Sequence, residues 1–282
     1  MWQSSYDGKP TLYLVPTPIG NLEDITFRSL EVLRAVDVVF SEDTRVTINL
    51  FNHFDIKKKL FSLHEHNENK VKDKVLSFLK EGKNVAIVSD RGTPLISDPG
   101  FVVVKYVAEF GYNVVSLPGA CALVSALVVS GIESMPFMFF GFLDNNINKR
   151  RSQLDNLASF EYTMIFYEAP HRIKETLMLM LDVFGDRQIS LSREISKKFE
   201  SVYRGSLKEL LESTEEFKGE FVIVVSGNKE TVDMSNISII DNVSLYIKEG
   251  FSVMEAIKKV AKERKIPKNE VYKEYHGGSK WN

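Results

Sequence analysis

Cysteine occurs once in the 282 residues, at Cys121, which excludes an intrachain disulfide and a cysteine-based zinc site. Long apolar runs are missing as well. No uncharged stretch approaches the roughly 20 residues of a membrane helix, and the longest candidate, residues 114–132, is cut by Pro118 and Gly119. The opening MWQSSYDGKP has no basic cap followed by an apolar core, so no secretory signal is predicted and the expected location is the cytoplasm. Neither sign of charge dominates: 36 Lys and Arg stand against 38 Asp and Glu, a formal net charge of −2. That excludes a histone-like polycation but leaves room for a local basic groove that steers phosphate. Neither GxGxxG nor GxxxxGK[ST] occurs, which argues against a dinucleotide fold and against triphosphate chemistry.

What is present alternates. Short β-branched runs at Leu12–Val15, Val36–Phe40, Leu60–Leu63, Val85–Ser89 and Val114–Leu117 read as buried strands. Between them Thr26–Ala35, Val71–Glu81 and Phe101–Phe110 carry apolar residues at helical spacing. Strand–helix–strand order of this kind predicts a mostly parallel sheet. After a helix over 120–131 come further strands at Phe137–Gly141, Met164–Tyr167, Ile189–Ser192, Phe199–Tyr203 and Phe221–Ser226. Some are only a turn apart, so antiparallel pairing is expected there, with a domain boundary near Pro118. Residues 229–240 are polar, three short helical stretches follow, and Lys258–Lys273 holds seven Lys or Arg against two acidic residues. Such a run is a solvated helix face or a phosphate-contacting appendage.

In parallel α/β sheets ligands bind beyond the carboxyl ends of the strands. Three loops there carry the candidate chemistry. Val15–Thr26 (VPTPIGNLEDIT) is a rigid turn directly after strand one. Ser41–Arg45 (SEDTR) combines two carboxylates, a hydroxyl and a guanidinium, any one of which helix capping could explain. Ser89–Gly100 (SDRGTPLISDPG) is longer than a mere connection needs and is constrained by two prolines and two glycines, so it reads as a ligand loop. LPGAC (Leu117–Cys121), YEAPHR (Tyr167–Arg172) and REISKKF (Arg193–Phe199) follow later strands. His64 and His66 offer two ligands on one side and no third, so no metal site is predicted.

Taken together, PTPIGNLEDIT, SEDTR, GTPLISDPG, PGA, GFL, YEAPHR, REISKKFE and KGEFVIVVSG resemble the tetrapyrrole methylase superfamily. The resemblance runs from Leu12 to about Gly227 and is strongest to the branch that methylates the ribose 2′-hydroxyl of a cytidine in small-subunit ribosomal RNA. It implies a bilobal α/β fold, with a mostly parallel N-terminal sheet over 1–117, a mixed C-terminal sheet over 118–230 and a small basic helical extension over 240–276. It also implies a homodimer, S-adenosylmethionine in the cleft between the lobes, and ribosomal RNA as partner. The cofactor contacts it implies are Ser89, Asp90, Gly92, Thr93, Pro94, Ile96, Pro118, Gly119, Ala120, Tyr167, Ser226, Gly227 and Asn228, with Pro18 at their substrate side. The substrate side falls on Gly20, Asn21, Arg45, Arg172 and Arg193, and on the acids Glu42, Asp43 and Glu168. Arg91 departs from the branch, where alanine is usual; beside a sulfonium it must point away or pair with a carboxylate. Asp144 replaces a common proline after GFL.

Methyl transfer from a sulfonium is an in-line displacement in which alignment is worth roughly 7 to 11 kcal/mol. A ribose hydroxyl is a weak nucleophile, so a base should add about 10² to 10⁴-fold. Glu42 or Asp43 is the expected base, with Glu168 next. The rival readings are the same fold acting on a tetrapyrrole or protein side chain, and a non-catalytic RNA-binding factor.

Overall fold

A computed structural model of the chain describes residues 2–5, 7–213, 217–229, 237–248, 250–264 and 266–277. These divide into two units, 1–228 and 229–282. The first unit opens with β1 (Thr11–Val15), a 3₁₀ turn (Leu22–Asp24), α1 (Phe27–Ala35), β2 (Val38–Ser41), α2 (Thr44–His53), β3 (Lys59–Ser62), α3 (Glu68–Lys80), β4 (Val85–Val88), α4 (Phe101–Glu109) and β5 (Asn113–Ser116). The five strands form one parallel sheet in the order β3-β2-β4-β1-β5. Alternation along β4 explains why both faces are covered: Val85 and Ile87 pack with Val75 and Val103 of α3 and α4, whereas Ala86 and Val88 pack with Leu33 and Phe51 of α1 and α2. Because β1 and β4 are neighbours whose following helices lie on opposite faces, the loops leaving them diverge and open a crevice.

The second half continues with α5 (Ala122–Val129), β6 (Phe137–Phe142), α6 (Ile147–Asp155), β7 (Thr163–Glu168), α7 (Ile173–Phe184), β8 (Gln188–Arg193), β9 (Ser201–Ser206), α8 (Leu207–Glu212) and β10 (Phe221–Val225). Its sheet has the order β6-β7-β10-β8-β9, parallel only between β6 and β7. One face packs on α6, α7 and α8 through Phe166, Leu177 and Leu207; the other packs on α5 through Ile165, Val224 and Ala126. Ile96, from the loop after β4, joins that second core and ties the two sheets together. Both sheets match the parallel and mixed character expected from the sequence. The strand expected at Phe199–Tyr203 begins two residues later, leaving Phe199 exposed.

The C-terminal unit holds α9 (Ile239–Lys248), α10 (Val253–Glu263) and α11 (Lys268–Gly277) around Val243, Ile257, Val260 and Val271. Lys258, Lys262 and Lys273 are exposed, while Lys259 lies 4.0 Å from the Phe251 ring centroid. Lys265 and residues 230–236 of the polar stretch lie outside the described residues. No described helix is long and apolar enough to cross a membrane.

The loop after β4 ends where Glu68, a buried carboxylate on α3, accepts the Gly100 and Val102 N–H groups, both at 2.9 Å. It thereby satisfies orphan donors at the start of α4 and sits at the positive end of the helix dipole. Glu68→Ala should lower stability by about 1–3 kcal/mol, read from urea unfolding; a loss under ~0.5 kcal/mol would show that water replaces the cap.

Candidate active site

Four loops meet beyond the carboxyl ends of β1 and β4. Thr17 and Gly92 exchange backbone hydrogen bonds at 2.9 and 3.0 Å, and the Thr17 hydroxyl donates to the Ser89 carbonyl at 2.9 Å. Gly92 has φ +86, and a Cβ there would stand 3.3 Å from Ile19, so conformation above all, and space as well, favour glycine. Thr93 donates to the Ala120 carbonyl at 3.0 Å, which fastens the loop to the turn before α5. Gly119 in that turn lies so close to Pro16 that a Cβ would be 2.6 Å from its ring.

These contacts frame a cavity of about 380 Å³, lined by Gly92, Thr93 and Ile96 from the β4 loop and by Tyr167, Phe221 and Val222 from the second sheet. Ile19, Cys121, Phe142 and Ile195 complete its apolar walls. The Tyr167 hydroxyl accepts the Leu123 N–H at 3.1 Å, and burial pushes its pKa up. Asp98, Glu168 and Glu220 supply its carboxylates, and Arg91 its guanidinium. A second hollow shares Arg91 with the first and takes Pro18, Gly20, Val46, His53, Ser89 and Asp90. A third holds Asn21, Ala120 and Lys197.

Arg91, the departure noted in the sequence, pairs with Glu220. Glu220 also holds Lys197 at 2.8 Å, and Lys197 reaches Glu194 at 3.0 Å. Lys197 packs against Gly20, which has no room for a Cβ, and Ser196 bonds to Asp24. One ionic chain therefore spans from the β4 loop to the loop between β8 and β9. Leu95, Ser97, Glu194 and Ser196 all have positive φ in these two loops, each at a cost of about 1–3 kcal/mol, although none is glycine.

The acids separate into distinct environments. Asp43 caps α2 by accepting the Arg45 N–H at 2.9 Å, and it takes the Arg45 guanidinium at 2.6 and 2.9 Å. Those bonds lower its pKa to about 2, which makes it a poor proton acceptor. Glu42, next to it, moves the other way: its side chain is exposed, yet partial desolvation raises its pKa, reinforced by the charges of Asp98, Asp90, Glu65 and Asp43. Asp90 accepts the Asp43 N–H at 2.9 Å, and burial raises its pKa as well. Asp98 receives the Ser89 hydroxyl and is raised chiefly by burial.

Three groups of candidates sit elsewhere than the sequence placed them. Glu168 is buried and fully engaged: it takes the Arg172 Nε at 2.8 Å, the Ala169 N–H at 2.8 Å and the Thr176 hydroxyl at 2.6 Å. Ionised and held by Arg172, it is a scaffold anion first and a weak candidate for taking a substrate proton. Arg172 is likewise turned inward onto Glu168, Asn145 and the Leu143 carbonyl, so it holds the loop after β6 and not a phosphate. Ser226, Gly227 and Asn228 follow the far end of β10: Tyr167 pairs with Val222, four residues from Ser226. Gly227 instead packs against the Glu161 backbone, and the Asn228 N–H donates to the Phe160 carbonyl at 2.6 Å. Pro94 is buried, and Pro118 and Gly119 are exposed beside the cavity without lining it. Arg193 lies on β8 opposite Phe221, its Nε buried without a hydrogen-bond partner. Sequence reasoning missed Asp98, Glu220, Lys197 and Phe142, although the first lies inside the loop it singled out.

The model of the tetrapyrrole (corrin/porphyrin) methylases matches residues 11–211. Ribosomal RNA small subunit methyltransferase I of Bacillus subtilis (strain 168) is 46% identical, over 97% of this chain and 98% of that protein. Its counterpart of the same name in Halalkalibacterium halodurans is 45% identical, over 97% and 98%. The chain belongs to the tetrapyrrole methylase family, in its ribosomal RNA small subunit methyltransferase I branch. Among solved structures, uroporphyrin-III C-methyltransferase from Thermus thermophilus, complexed with S-adenyl homocysteine, superposes with a TM-score of 0.54 at 17% identity, over 77% of this chain and 97% of that one. At that identity the likeness is one of fold.

If Glu168 serves the scaffold, Glu168→Ala should cost about 3–5 kcal/mol of stability by stranding the buried Arg172 charge. Urea unfolding measures it, and a variant as stable as wild type would return Glu168 to the list of candidate bases.

Proposed function

We propose that this protein methylates the 2′-hydroxyl of a cytidine ribose in small-subunit ribosomal RNA. As a member of its family it is a methyltransferase, and its methyl donor is S-adenosylmethionine. The substrate class rests above all on near-full-length identity of 46% with a protein named for ribosomal RNA of the small subunit. Position and nucleoside rest on the resemblance of SEDTR, YEAPHR and the β4 loop to that branch. A tetrapyrrole substrate is disfavoured because the identity to the RNA enzymes far exceeds the 17% shared with a porphyrin enzyme.

The residues present suit the donor. A cavity of about 380 Å³ with apolar walls falls within the roughly 300–1,000 Å³ of small-molecule sites. Apolar walls of Ile96, Phe142 and Val222 suit a purine, and Gly92 and Thr93 line the same cavity. Bound there, S-adenosylmethionine supplies a methyl group already activated by positive sulfur. The chain itself has to align the hydroxyl and accept its proton.

Glu42 takes that proton. Its pKa is raised, the charges of Asp98 on the cavity wall and Asp90 on the wall of the second hollow adding to partial desolvation, which makes it the better proton acceptor of the SEDTR pair. Asp43 is too acidic and Glu168 too occupied. Arg45, 87% exposed in its side chain, stands free on its outer side to meet phosphate while Asp43 orients it. Exposed Lys258, Lys262 and Lys273 on the C-terminal helices add further phosphate contacts. The same reading makes the protein a cytoplasmic homodimer, with Pro18, Gly20 and Asn21 on the substrate side.

Glu42→Gln should slow single-turnover methyl transfer to small ribosomal subunits by about 10² to 10⁴-fold. The wild-type rate should climb with pH through the Glu42 pKa and then level, since only the ionised carboxylate accepts a proton. A variant with unchanged rate and profile removes Glu42 from the mechanism. Alkaline hydrolysis of the labelled RNA checks the position, because a 2′-O-methyl blocks strand cleavage; label recovered only in mononucleotides would place the methyl on a base.

A further inference from the structure

Asp98 is the carboxylate of the cavity that no cation neutralises. Glu168 is consumed by Arg172 and Thr176, and Glu220 by Arg91 and Lys197. Asp98 has the Ser89 hydroxyl as donor, and the charged group acting on it, Asp90, is of its own sign. Among the described residues no lysine, arginine or histidine pairs with it. The chain nevertheless holds it firmly in place. Ser97, just before it, has φ +65, Leu95 has φ +72, and Pro99 follows. Burying a charge among apolar walls costs free energy unless an opposite charge arrives to offset it. Across the same cavity Tyr167 is neutral, its hydroxyl engaged by the Leu123 N–H, so it supplies no positive partner.

We infer that Asp98 is the counter-charge for the positive sulfur of the methyl donor, and so the residue that makes the cavity prefer the sulfonium over the neutral thioether left after transfer. The inference rests on the cofactor reading above. Within poorly hydrated walls such a pair is screened less than in water. It acts on the donor and not on the RNA, which separates it from Glu42. It also gives the enzyme a means of shedding its product, since loss of the methyl group removes the charge that Asp98 holds.

The test compares two ligands that differ only in the transferable methyl group and the positive charge it gives the sulfur. Calorimetry would measure the dissociation constants of S-adenosylmethionine and S-adenosylhomocysteine for wild type, Asp98→Asn and Asp98→Glu. Wild type should favour the sulfonium. Asn, which keeps an oxygen for Ser89, should weaken sulfonium binding by roughly tenfold or more (about 1.4 kcal/mol) while changing thioether binding less than about threefold, and Glu should restore most of the preference. Equal losses for both ligands would overturn the inference and assign Asp98 to a group the two share. An unchanged ratio overturns it outright. If wild type binds neither ligand, the cofactor reading itself falls and this inference with it. Should Asn prevent folding, wild type alone still decides. Its preference should fade as pH drops through the Asp98 pKa while thioether affinity stays level, and a ratio independent of pH would refute the role.

Discussion

Two backbone hydrogen bonds between Thr17 and Gly92 set the position of nearly everything in the cleft. They join the loops that leave the adjacent parallel strands β1 and β4, which would otherwise diverge toward opposite faces of the sheet. Glycine suits position 92, because its φ is positive and a side chain there would be strained and crowded against Ile19. Once that pair is made, Ser89 is held beneath the loop, Thr93 reaches the turn at Ala120, and Ile96 enters the core of the second sheet. The cavity is thus a consequence of strand order together with the three loop residues, Gly92, Thr93 and Ile96, that fasten its wall.

The outer edge is held by different physics. Glu220 stands between Arg91 and Lys197, so a carboxylate from the second sheet carries cations from both loops. Arg91 and Glu220 are each more than half exposed in their side chains, 55% and 56%, and exposed ion pairs are worth little individually, about 0–1 kcal/mol. The contribution of this chain to folding is accordingly small. What it supplies is orientation: it holds the Arg91 guanidinium against Glu220, so that the positive charge on the cavity wall is offset by a carboxylate.

How far the sequence reached depends on the kind of information. Strand alternation and strand–helix order made both sheets legible, because burial of both faces leaves a plain trace in Val85–Val88 and Phe221–Val225. The ligand loop was legible from its length and turn residues. Roles within the loops were not. Asp43 and Glu42 are neighbours in sequence, yet one pKa falls and the other rises because Arg45 bonds to Asp43 alone while burial and distant carboxylates act on Glu42. Glu168 and Arg172 look like substrate groups in YEAPHR, but a spacing of four on the entry to α7 lets them satisfy each other. Ser226–Asn228 could not be excluded from the cleft until the antiparallel register of β10 against β7 put Val222, and not Val225, beside Tyr167.

A net charge of −2 poses no difficulty for an enzyme of RNA, because the charges are sorted in space. Asp98 and Asp90 lie on the walls of the two hollows, where burial raises their pKa values and a positive ligand can be met. Cations in the cleft are spent on internal pairs: Arg172 on Glu168, Lys197 on Glu194 and Glu220. Arg45 is left to face solvent, where phosphate can meet it, and within the C-terminal unit Lys258, Lys262 and Lys273 are exposed as well. Had the inner carboxylates been neutralised by these same cations, the cavity would lose its preference for positive charge and the surface its attraction for RNA. Segregating the two signs within one nearly neutral chain keeps both.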